Sequence, residues 1–96
     1  MNNKVCVVGA GYWGQNHIKT LFQMGIEVGV VDLDIKSLKH IEKKYPLNRI
    51  YKTIDEALLD DFDAYIVSTP AETHFNVAKK IILSKKYSFP FDVIAL

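Results

Sequence analysis

The chain has 96 residues, 49% of them hydrophobic, with twelve basic and eleven acidic side chains and a formal net charge of +1. This length is enough for one domain with a single core and too short for a second domain. Charges of both signs are interspersed, which argues against a nucleic-acid partner or an anionic membrane. One cysteine and three histidines exclude a disulfide framework and a metal framework.

The amino-terminal segment gives no sign of targeting. Its short apolar run is broken by Gly9 and Gly11 and followed by polar residues, so it is neither a signal peptide nor a membrane span. We therefore expect a soluble, cytoplasmic protein. Cys6 lies in the middle of the run and is expected to be a buried thiol rather than a reactive one.

The first predicted strand, Lys4 to Val8, is a nearly continuous β-branched run, as in strands buried on both faces of a parallel sheet. The first predicted helix covers 12–24, where apolar and aromatic side chains recur at spacings of three and four: Trp13, His17, Leu21 and Met24. Gly25 follows this helix as a carboxyl-terminal glycine would.

The middle of the chain repeats this order of elements. A second apolar run, 27–32, ends on Asp32, and the lysine-rich segment 35–45 is a helix that Pro46 stops. Residues 49–51 are predicted as a short third strand. A short helix over 55–59 follows, and either Thr53 or Asp55 is expected to cap it.

The last predicted elements are a strand over 64–67, a longer helix over 71–86 with Phe75, Ala78, Ile81 and Ile82 on one side, and an apolar segment, 91–96, able to form a fifth strand. Strict alternation of strands and helices predicts an α/β fold, a doubly wound parallel sheet with helices on both faces and right-handed crossovers. We expect residues 1–96 to form one domain of this kind.

Three glycines stand where the first strand passes into the first helix. Gly9 would permit the tight turn, Gly11 would let a pyrophosphate approach the backbone, and Gly14 would allow the helix to pack closely on the strand. The free N–H groups and positive dipole end of the helix beginning near Tyr12 would then face the phosphates.

Asp32 stands at the end of the second predicted strand, where an acid can accept hydrogen bonds from both ribose hydroxyls and repel a 2′-phosphate. Leu33 and Asp34 come next, with no arginine, so the cofactor predicted is NAD, with NADP less favoured. The alternative for Asp32 is a loop or capping residue. Asp34 is the better candidate for capping the second helix.

A second polar constellation, Ser68-Thr69-Pro70-Ala71-Glu72-Thr73-His74, follows the fourth strand. Ligands of open α/β sheets bind at the carboxyl edge of the strands, so these residues would face the same crevice as the glycines. We therefore assign Ser68, Thr69, Pro70 and His74 to the nicotinamide end of a dinucleotide. The alternative is a helix start that Thr69 or Thr73 caps.

The sequence VGAGYWGQNH, followed by Asp32 and then by STPAETH, resembles the N-terminal half of the Gfo/Idh/MocA oxidoreductases, enzymes that act on sugars, inositols and nucleotide sugars. The resemblance covers about 4–86. It includes G-x-G-x-x-G-x-x-H from Gly9 to His17 and T-P-x-x-x-H from Thr69 to His74, and most other dinucleotide-binding domains lack the second motif. The Tyr-Trp-Gly variant looks closest to members in surface-polysaccharide and nucleotide-sugar metabolism.

The resemblance implies that residues 1–96 form a dinucleotide-binding, Rossmann-type domain. In this domain Gly9, Gly11, Gly14 and Asp32 would hold NAD for hydride transfer at a sugar carbon. It also places Thr69, Pro70 and His74 near the nicotinamide or its ribose. Two aromatic residues beside the phosphate turn, Tyr12 and Trp13, would shield the cofactor, or would belong to the core or a subunit contact. His17 is expected to pack or hydrogen-bond rather than catalyse.

The end of the chain departs from the family. The family carries a fifth strand ending in Glu-Lys-Pro, whose lysine takes part in catalysis, and then a C-terminal substrate domain, whereas this chain reads YSFPFDVIAL. We therefore expect a truncated cofactor domain of a sugar or nucleotide-sugar dehydrogenase, inactive by itself. The truncation would be natural or engineered, or would reflect an altered reading frame.

Three alternatives to a truncated enzyme stay open. The chain would be a free-standing binding domain, a nucleotide-sensing or partner-binding regulatory module, or a structural remnant that binds nothing. A fragment without its second domain exposes apolar surface, so homodimerisation through Phe89, Phe91 and neighbouring residues is a further expectation.

Overall fold

The computed structural model describes the backbone of residues 4–47, 49–60, 62–84 and 92–95, and the side chains of these residues except 71, 74, 84 and 92–95. Strands and helices alternate in this part of the chain: β1 (Lys4–Val8), α1 (Tyr12–Gln23), β2 (Glu27–Val31), α2 (Ile35–Lys44), β3 (Arg49–Tyr51), α3 (Ile54–Ala57), β4 (Ala64–Val67), α4 (Ala71–Ser84) and β5 (Asp92–Ala95).

The strands form one parallel sheet in the order β3-β2-β1-β4-β5. This order confirms the predicted doubly wound α/β fold, because the chain first adds strands on one side of β1 and then on the other. Val8 is in register with Val31 on one side and with Val67 on the other. The residues that directly follow β1, β2 and β4 therefore meet at one edge of the sheet.

Each face of the sheet carries its own hydrophobic core. On the α1 and α2 face the buried residues are Val7, Ala10, Ile18, Val28, Val30, Leu38 and Ile41. On the α3 and α4 face they are Cys6, Val8, Val31, Ala57, Phe62, Tyr65, Val67 and Ile81. Since successive side chains of a strand point to opposite faces, a central strand must be apolar at every position. The sequence of β1 meets this requirement from Val5 to Val8, and all four of these residues are buried.

Two helices begin at side-chain caps. Asp34 accepts a hydrogen bond from the N–H of Lys36 at 3.0 Å and thereby caps α2, as predicted. Thr53 rather than Asp55 caps α3, because its hydroxyl oxygen accepts from the N–H of Glu56 at 3.3 Å. The helix over 55–59 accordingly begins one residue earlier than predicted and ends at Ala57.

Gly25 ends α1 as expected. Its φ is +75°, its N–H donates to the carbonyl of Phe22, and the N–H of Ile26 donates to the carbonyl of Leu21. These two bonds form a Schellman motif, in which a glycine takes the left-handed conformation that other residues adopt at a cost.

The buried faces of α1 and α4 differ from the faces that the apolar spacing predicts. Helix α1 buries Gly14 and Ile18, while Trp13 and Met24 are each 67% exposed. Helix α4 buries Ile81, whereas Phe75 and Ile82 lie in solvent. Both helices carry apolar residues on more than one side, so the spacing alone did not say which side meets the sheet.

The segment predicted as a fifth strand, 91–96, forms β5 over 92–95 and pairs with β4. Phe89 and Phe91, on which the homodimer prediction depends, lie outside the described residues.

Gly29 in β2 makes room for an aromatic ring. A Cβ at this position would lie 2.4 Å from Cζ of Phe62, whose ring is buried and makes edge contacts with Tyr51 and Tyr65. No local pattern predicts this role for Gly29, since Phe62 lies 33 residues further along the chain.

We expect the free energy of unfolding to fall as the pH rises from about 9. Burial raises the pKa of the Cys6 thiol from its ordinary value of 9.0 to about 12, so the unfolded chain releases this proton first and gains stability relative to the folded chain. Burial, followed by the hydrogen bond to Asp60, also raises the pKa of Tyr51 from 10.0 to about 12. Urea unfolding between pH 8 and pH 10 measures the slope.

Comparison with Cys6→Ala separates the effect of the Cys6 thiol on stability from that of the Tyr51 phenol. The variant should be less stable at pH 8 because it leaves a cavity, but its stability should fall less between pH 9 and pH 10 than that of the wild type. Equal slopes for the two proteins would contradict the assignment to Cys6.

Candidate functional site

Three loops meet at the carboxyl edge of the sheet and form the candidate site. Gly9 follows β1, Asp32 follows β2 and Ser68 follows β4. The register brings these residues together although Gly9 and Ser68 are far apart in sequence. The predicted site residues after the three strands therefore lie at the same edge.

Gly9 makes the turn out of β1 at a φ of +103°, a conformation that a side chain would strain. Its N–H donates to the carbonyl of Val31 at 2.7 Å. A Cβ here would also lie 3.0 Å from the carbonyl carbon and oxygen of Ser68. The turn thus depends on glycine for both its backbone angle and its close approach to β4.

Gly14 and Gly11 differ sharply in the space around them. A Cβ on Gly14 would lie 1.7 Å from the carbonyl oxygen of Gly9, so the missing side chain allows α1 to pack against the turn. A Cβ on Gly11 would meet nothing within 4 Å. Gly11 therefore leaves open the space in front of the first turn of α1, and Gly14 has the packing role predicted for it.

The Asp32 carboxylate, which is half-buried, is bound at both oxygens. Oδ2 accepts the N–H of Ala10 at 2.7 Å, and Oδ1 accepts the N–H of Asp34 at 2.8 Å. Each carboxylate oxygen has room for about two hydrogen bonds, so both keep a position for a further donor. Asp32 thereby links the glycine turn to the start of α2.

The polar segment after β4 places two hydroxyl groups in different surroundings. Ser68 Oγ lies 3.0 Å from the carbonyl oxygen of Gly9 and 3.3 Å from that of Val8. Thr69 Oγ1 is buried and has no hydrogen-bond partner among the described residues. Since buried hydroxyls are nearly always paired, Thr69 presents an acceptor and a donor that this part of the chain leaves unused.

Pro70 is exposed, and its carbonyl accepts both the N–H of Thr73 at 2.9 Å and the Thr73 hydroxyl at 2.8 Å. Both bonds lie at the start of α4. The Thr73 hydroxyl donates in its bond, whereas a capping oxygen accepts a helix N–H, so this bond is not the cap that the sequence left open for Thr73. His74 lies in the first turn of α4, and its side chain is outside the described ones. His17 is half-buried on α1, one turn beyond the glycines.

Two aromatic side chains stand beside the glycine turn. Tyr12 is 75% exposed and Trp13 is 67% exposed, and their rings form an edge contact with centroids 5.3 Å apart. Neither belongs to either hydrophobic core, so the core interpretation that the sequence left open is excluded for both.

Sequence reasoning missed two residues beside the site. Ala10 is fully buried. Its N–H donates to Asp32, and its carbonyl accepts from the side-chain amide of Gln15 at 3.0 Å. Leu33 is 81% exposed directly after Asp32. Only its position next to Asp32 could have singled out Leu33. For Ala10 no sequence signal was available, because its role depends on its backbone N–H and carbonyl.

A groove of about 430 Å³ lies between α2, β3 and α3. Apolar and charged side chains line it: Ile35, Leu38, Lys39, Glu42, Ile50, Lys52 and Glu56. None of the glycines contributes to it. In the described ranges no group of potential metal ligands gathers, and no helix is long and apolar enough to cross a membrane.

Comparison with solved structures supports the fold over nearly its whole length. GenD2 from gentamicin A biosynthesis, crystallised with NAD, is 30% identical with a TM-score of 0.80, and the match covers 98% of this chain and 26% of GenD2. The WlbA dehydrogenase from Bordetella pertussis, in complex with NADH and UDP-GlcNAcA, is 21% identical with a TM-score of 0.83, covering 99% and 28%.

UDP-N-acetylglucosamine 3-dehydrogenase GnnA from Acidithiobacillus ferrooxidans is 21% identical with a TM-score of 0.82, again over 99% of this chain and 28% of that one. At this identity WlbA and GnnA show the fold alone. The chain thus spans 26 to 28% of the length of these three structures. No curated protein matches it significantly.

A family model described as "Oxidoreductase family, NAD-binding Rossmann fold" matches residues 3–93. This match includes all three loops of the candidate site and confirms the resemblance that the two motifs indicated. The chain therefore belongs to the Gfo/Idh/MocA oxidoreductase family and forms its NAD-binding Rossmann domain.

Proposed function

We propose that this chain binds NAD at the carboxyl edge of its sheet as the cofactor domain of a sugar or nucleotide-sugar dehydrogenase, and that it does not turn over substrate by itself. The observation that carries the proposal is the combination of the Asp32 carboxylate, open to two further donors, with the open space over Gly11. The carboxylate suits a ribose, and the open space suits a pyrophosphate.

The pyrophosphate would lie at the start of α1. Gly11 is the N-cap of this helix and supplies no side-chain acceptor, and no acidic residue stands in the first turn. The first N–H groups of a helix have no partner within the helix and attract anions. Asp34 and Thr53 cap the next two helices with their side chains, so α1 is the one of these three whose end suits a phosphate.

The adenosine end would lie beside Asp32. Two ribose hydroxyls would donate to the free positions of the carboxylate, and a 2′-phosphate there would meet a negative charge. The exposed side chain of Leu33 offers an apolar surface next to this position. These features favour NAD over NADP.

The nicotinamide end would lie beside the loop after β4. The buried hydroxyl of Thr69, which has no hydrogen-bond partner among the described residues, would bind the cofactor there, together with Pro70 and His74. Tyr12 and Trp13 would cover it from the α1 side. NAD, when bound, accepts a hydride at its nicotinamide ring. The protein would supply binding and orientation, which are the usual contributions of a cofactor domain.

The proposed lack of turnover rests on what this chain supplies. It matches about a quarter of the length of its structural neighbours, and GenD2 and WlbA were crystallised with the dinucleotide in proteins of that larger size. Substrate positioning and acid-base catalysis contribute a large part of an enzyme's rate. The described residues at this edge would serve cofactor binding, and we assign neither of those functions to them.

Calorimetric titration with NAD, NADH and NADP tests the proposal. We expect saturable binding of NAD and NADH, weaker binding of NADP, and quenching of fluorescence from Trp13, the sole tryptophan. Gly11→Ala should fold normally and bind NAD more weakly, because its methyl group would occupy the open space. Lys39→Ala, in the groove between α2, β3 and α3, is the control and should bind like the wild type.

Binding data and an activity assay separate the two parts of the proposal. Absence of heat with every dinucleotide would overturn the claim of a working NAD site. Production of NADH from NAD with UDP-N-acetylglucosamine or inositol as substrate would leave the site in place and overturn the claim that the chain is inactive by itself.

A further inference from the structure

We propose that Ser68 is a positioning residue that, with Asp32, holds a single peptide group of the glycine turn in the orientation that NAD binding needs. This inference rests on the proposed function. The peptide group joins Gly9 to Ala10. Its oxygen lies 3.0 Å from Ser68 Oγ, and its N–H donates to Asp32 Oδ2 at 2.7 Å.

The two contacts come from opposite sides of β1. Asp32 follows β2 and Ser68 follows β4, the two strands that flank β1 in the sheet. The Ser68 hydroxyl has a single proton, and Gly9 is its nearer acceptor, with the carbonyl of Val8 at 3.3 Å as the other. One side chain thus fixes the oxygen end of the peptide group, and another fixes the nitrogen end.

This peptide group needs such support for a conformational reason. Gly9 has a φ of +103°, and glycine is free to take several other backbone conformations. Its carbonyl oxygen also lies where a Cβ of Gly14 would be 1.7 Å away. Rotation of the peptide group would therefore move the atom against which α1 packs, and with it the N–H groups at the start of α1.

Ser68 would accordingly affect the affinity for NAD through the turn and not by touching the cofactor. Its hydroxyl faces the carbonyls of Val8 and Gly9, which gives it a different role from the nearby Thr69, whose hydroxyl has no partner in the part of the chain that the structure describes. Removal of the Ser68 hydroxyl should release the carbonyl oxygen of Gly9. The peptide group could then rotate, which should weaken the hydrogen bond from the N–H of Ala10 to Asp32.

The test combines two measurements on Ser68→Ala. Amide hydrogen exchange at Ala10, followed by NMR without any dinucleotide, reports on the peptide group itself. Calorimetric titration with NAD reports on the site. Loss of one hydrogen bond predicts exchange about fivefold faster and binding about fivefold weaker. Ser68→Thr, which keeps the hydroxyl, should restore both values toward the wild type.

Thr20→Ala is the matched control, because it removes a comparable bond from a side-chain hydroxyl to the carbonyl of Asn16, at 3.1 Å on the outer part of α1. It should change neither measurement. Unchanged exchange at Ala10 in Ser68→Ala would overturn the inference whatever NAD does. Faster exchange with unchanged NAD affinity would overturn the positioning role.

The exchange measurement also separates this inference from the proposed function. A wild-type protein that fails to bind NAD would overturn the proposed function and with it the positioning role. Exchange at Ala10 would still decide whether Ser68 holds the peptide group.

Discussion

Gly14→Ala is expected to lower the free energy of unfolding by about 3 kcal/mol, the upper part of the range for overpacked sites, and to abolish detectable NAD binding. The added Cβ would lie 1.7 Å from the carbonyl oxygen of Gly9. That atom belongs to the backbone of a turn already held by β2 and β4, so the helix has to move instead. Urea unfolding measures the loss, which is a large part of the roughly 5 to 14 kcal/mol expected for a domain of this size.

Gly11→Ala provides the matched control for Gly14→Ala, since the same methyl group at Gly11 meets nothing within 4 Å. It should leave the urea midpoint close to that of the wild type while weakening NAD binding. The pair therefore separates packing from cofactor access within a single motif. Similar unfolding curves for Gly14→Ala and the wild type would show that α1 does not pack on the turn as described.

Asp32→Ala is expected to weaken NAD binding by roughly 100-fold, because two hydrogen bonds to a charged acceptor are lost together. It should also lower the free energy of unfolding by about 1 to 3 kcal/mol, since the N–H of the fully buried Ala10 loses its acceptor. Calorimetry with NAD and urea unfolding measure the two effects separately. Asp32→Asn removes the negative charge and should narrow the difference in affinity between NAD and NADP.

Asp34→Ala is the control for the second aspartate of the same loop. It removes the cap of α2, which should cost about 1 kcal/mol of stability, and it keeps the backbone N–H that donates to Asp32. NAD binding should therefore change little. Equal losses of affinity in Asp32→Ala and Asp34→Ala would contradict the assignment of the ribose to Asp32.

Local sequence signals were sufficient for the order and nearly all the boundaries of the elements. Short apolar runs marked β1 and β4, and Gly25 marked the end of α1, because backbone conformation at these positions depends on residues close in the chain. The same signals misplaced the start of α3 by one residue, where Thr53 and Asp55 both qualified as a cap and only the structure shows which one accepts the bond.

For the site, the sequence by itself determined its components: three glycines, an acid after the second strand and hydroxyl residues after the fourth. Their spacing along the chain is enough to predict that they lie together, because each follows a strand and parallel strands end at one edge. The tertiary structure decided how the components contact one another.

The division between the two hydroxyl residues of the loop after β4 shows what only the tertiary structure could decide. Ser68 and Thr69 are neighbours with the same functional group, yet one is bonded to the carbonyl of Gly9 and the other has no partner among the described residues. Ser68 and Gly9 are 59 positions apart, so their contact depends on the register of β1 with β4. Local periodicity specifies strands and helices, whereas register and close packing depend on the whole core.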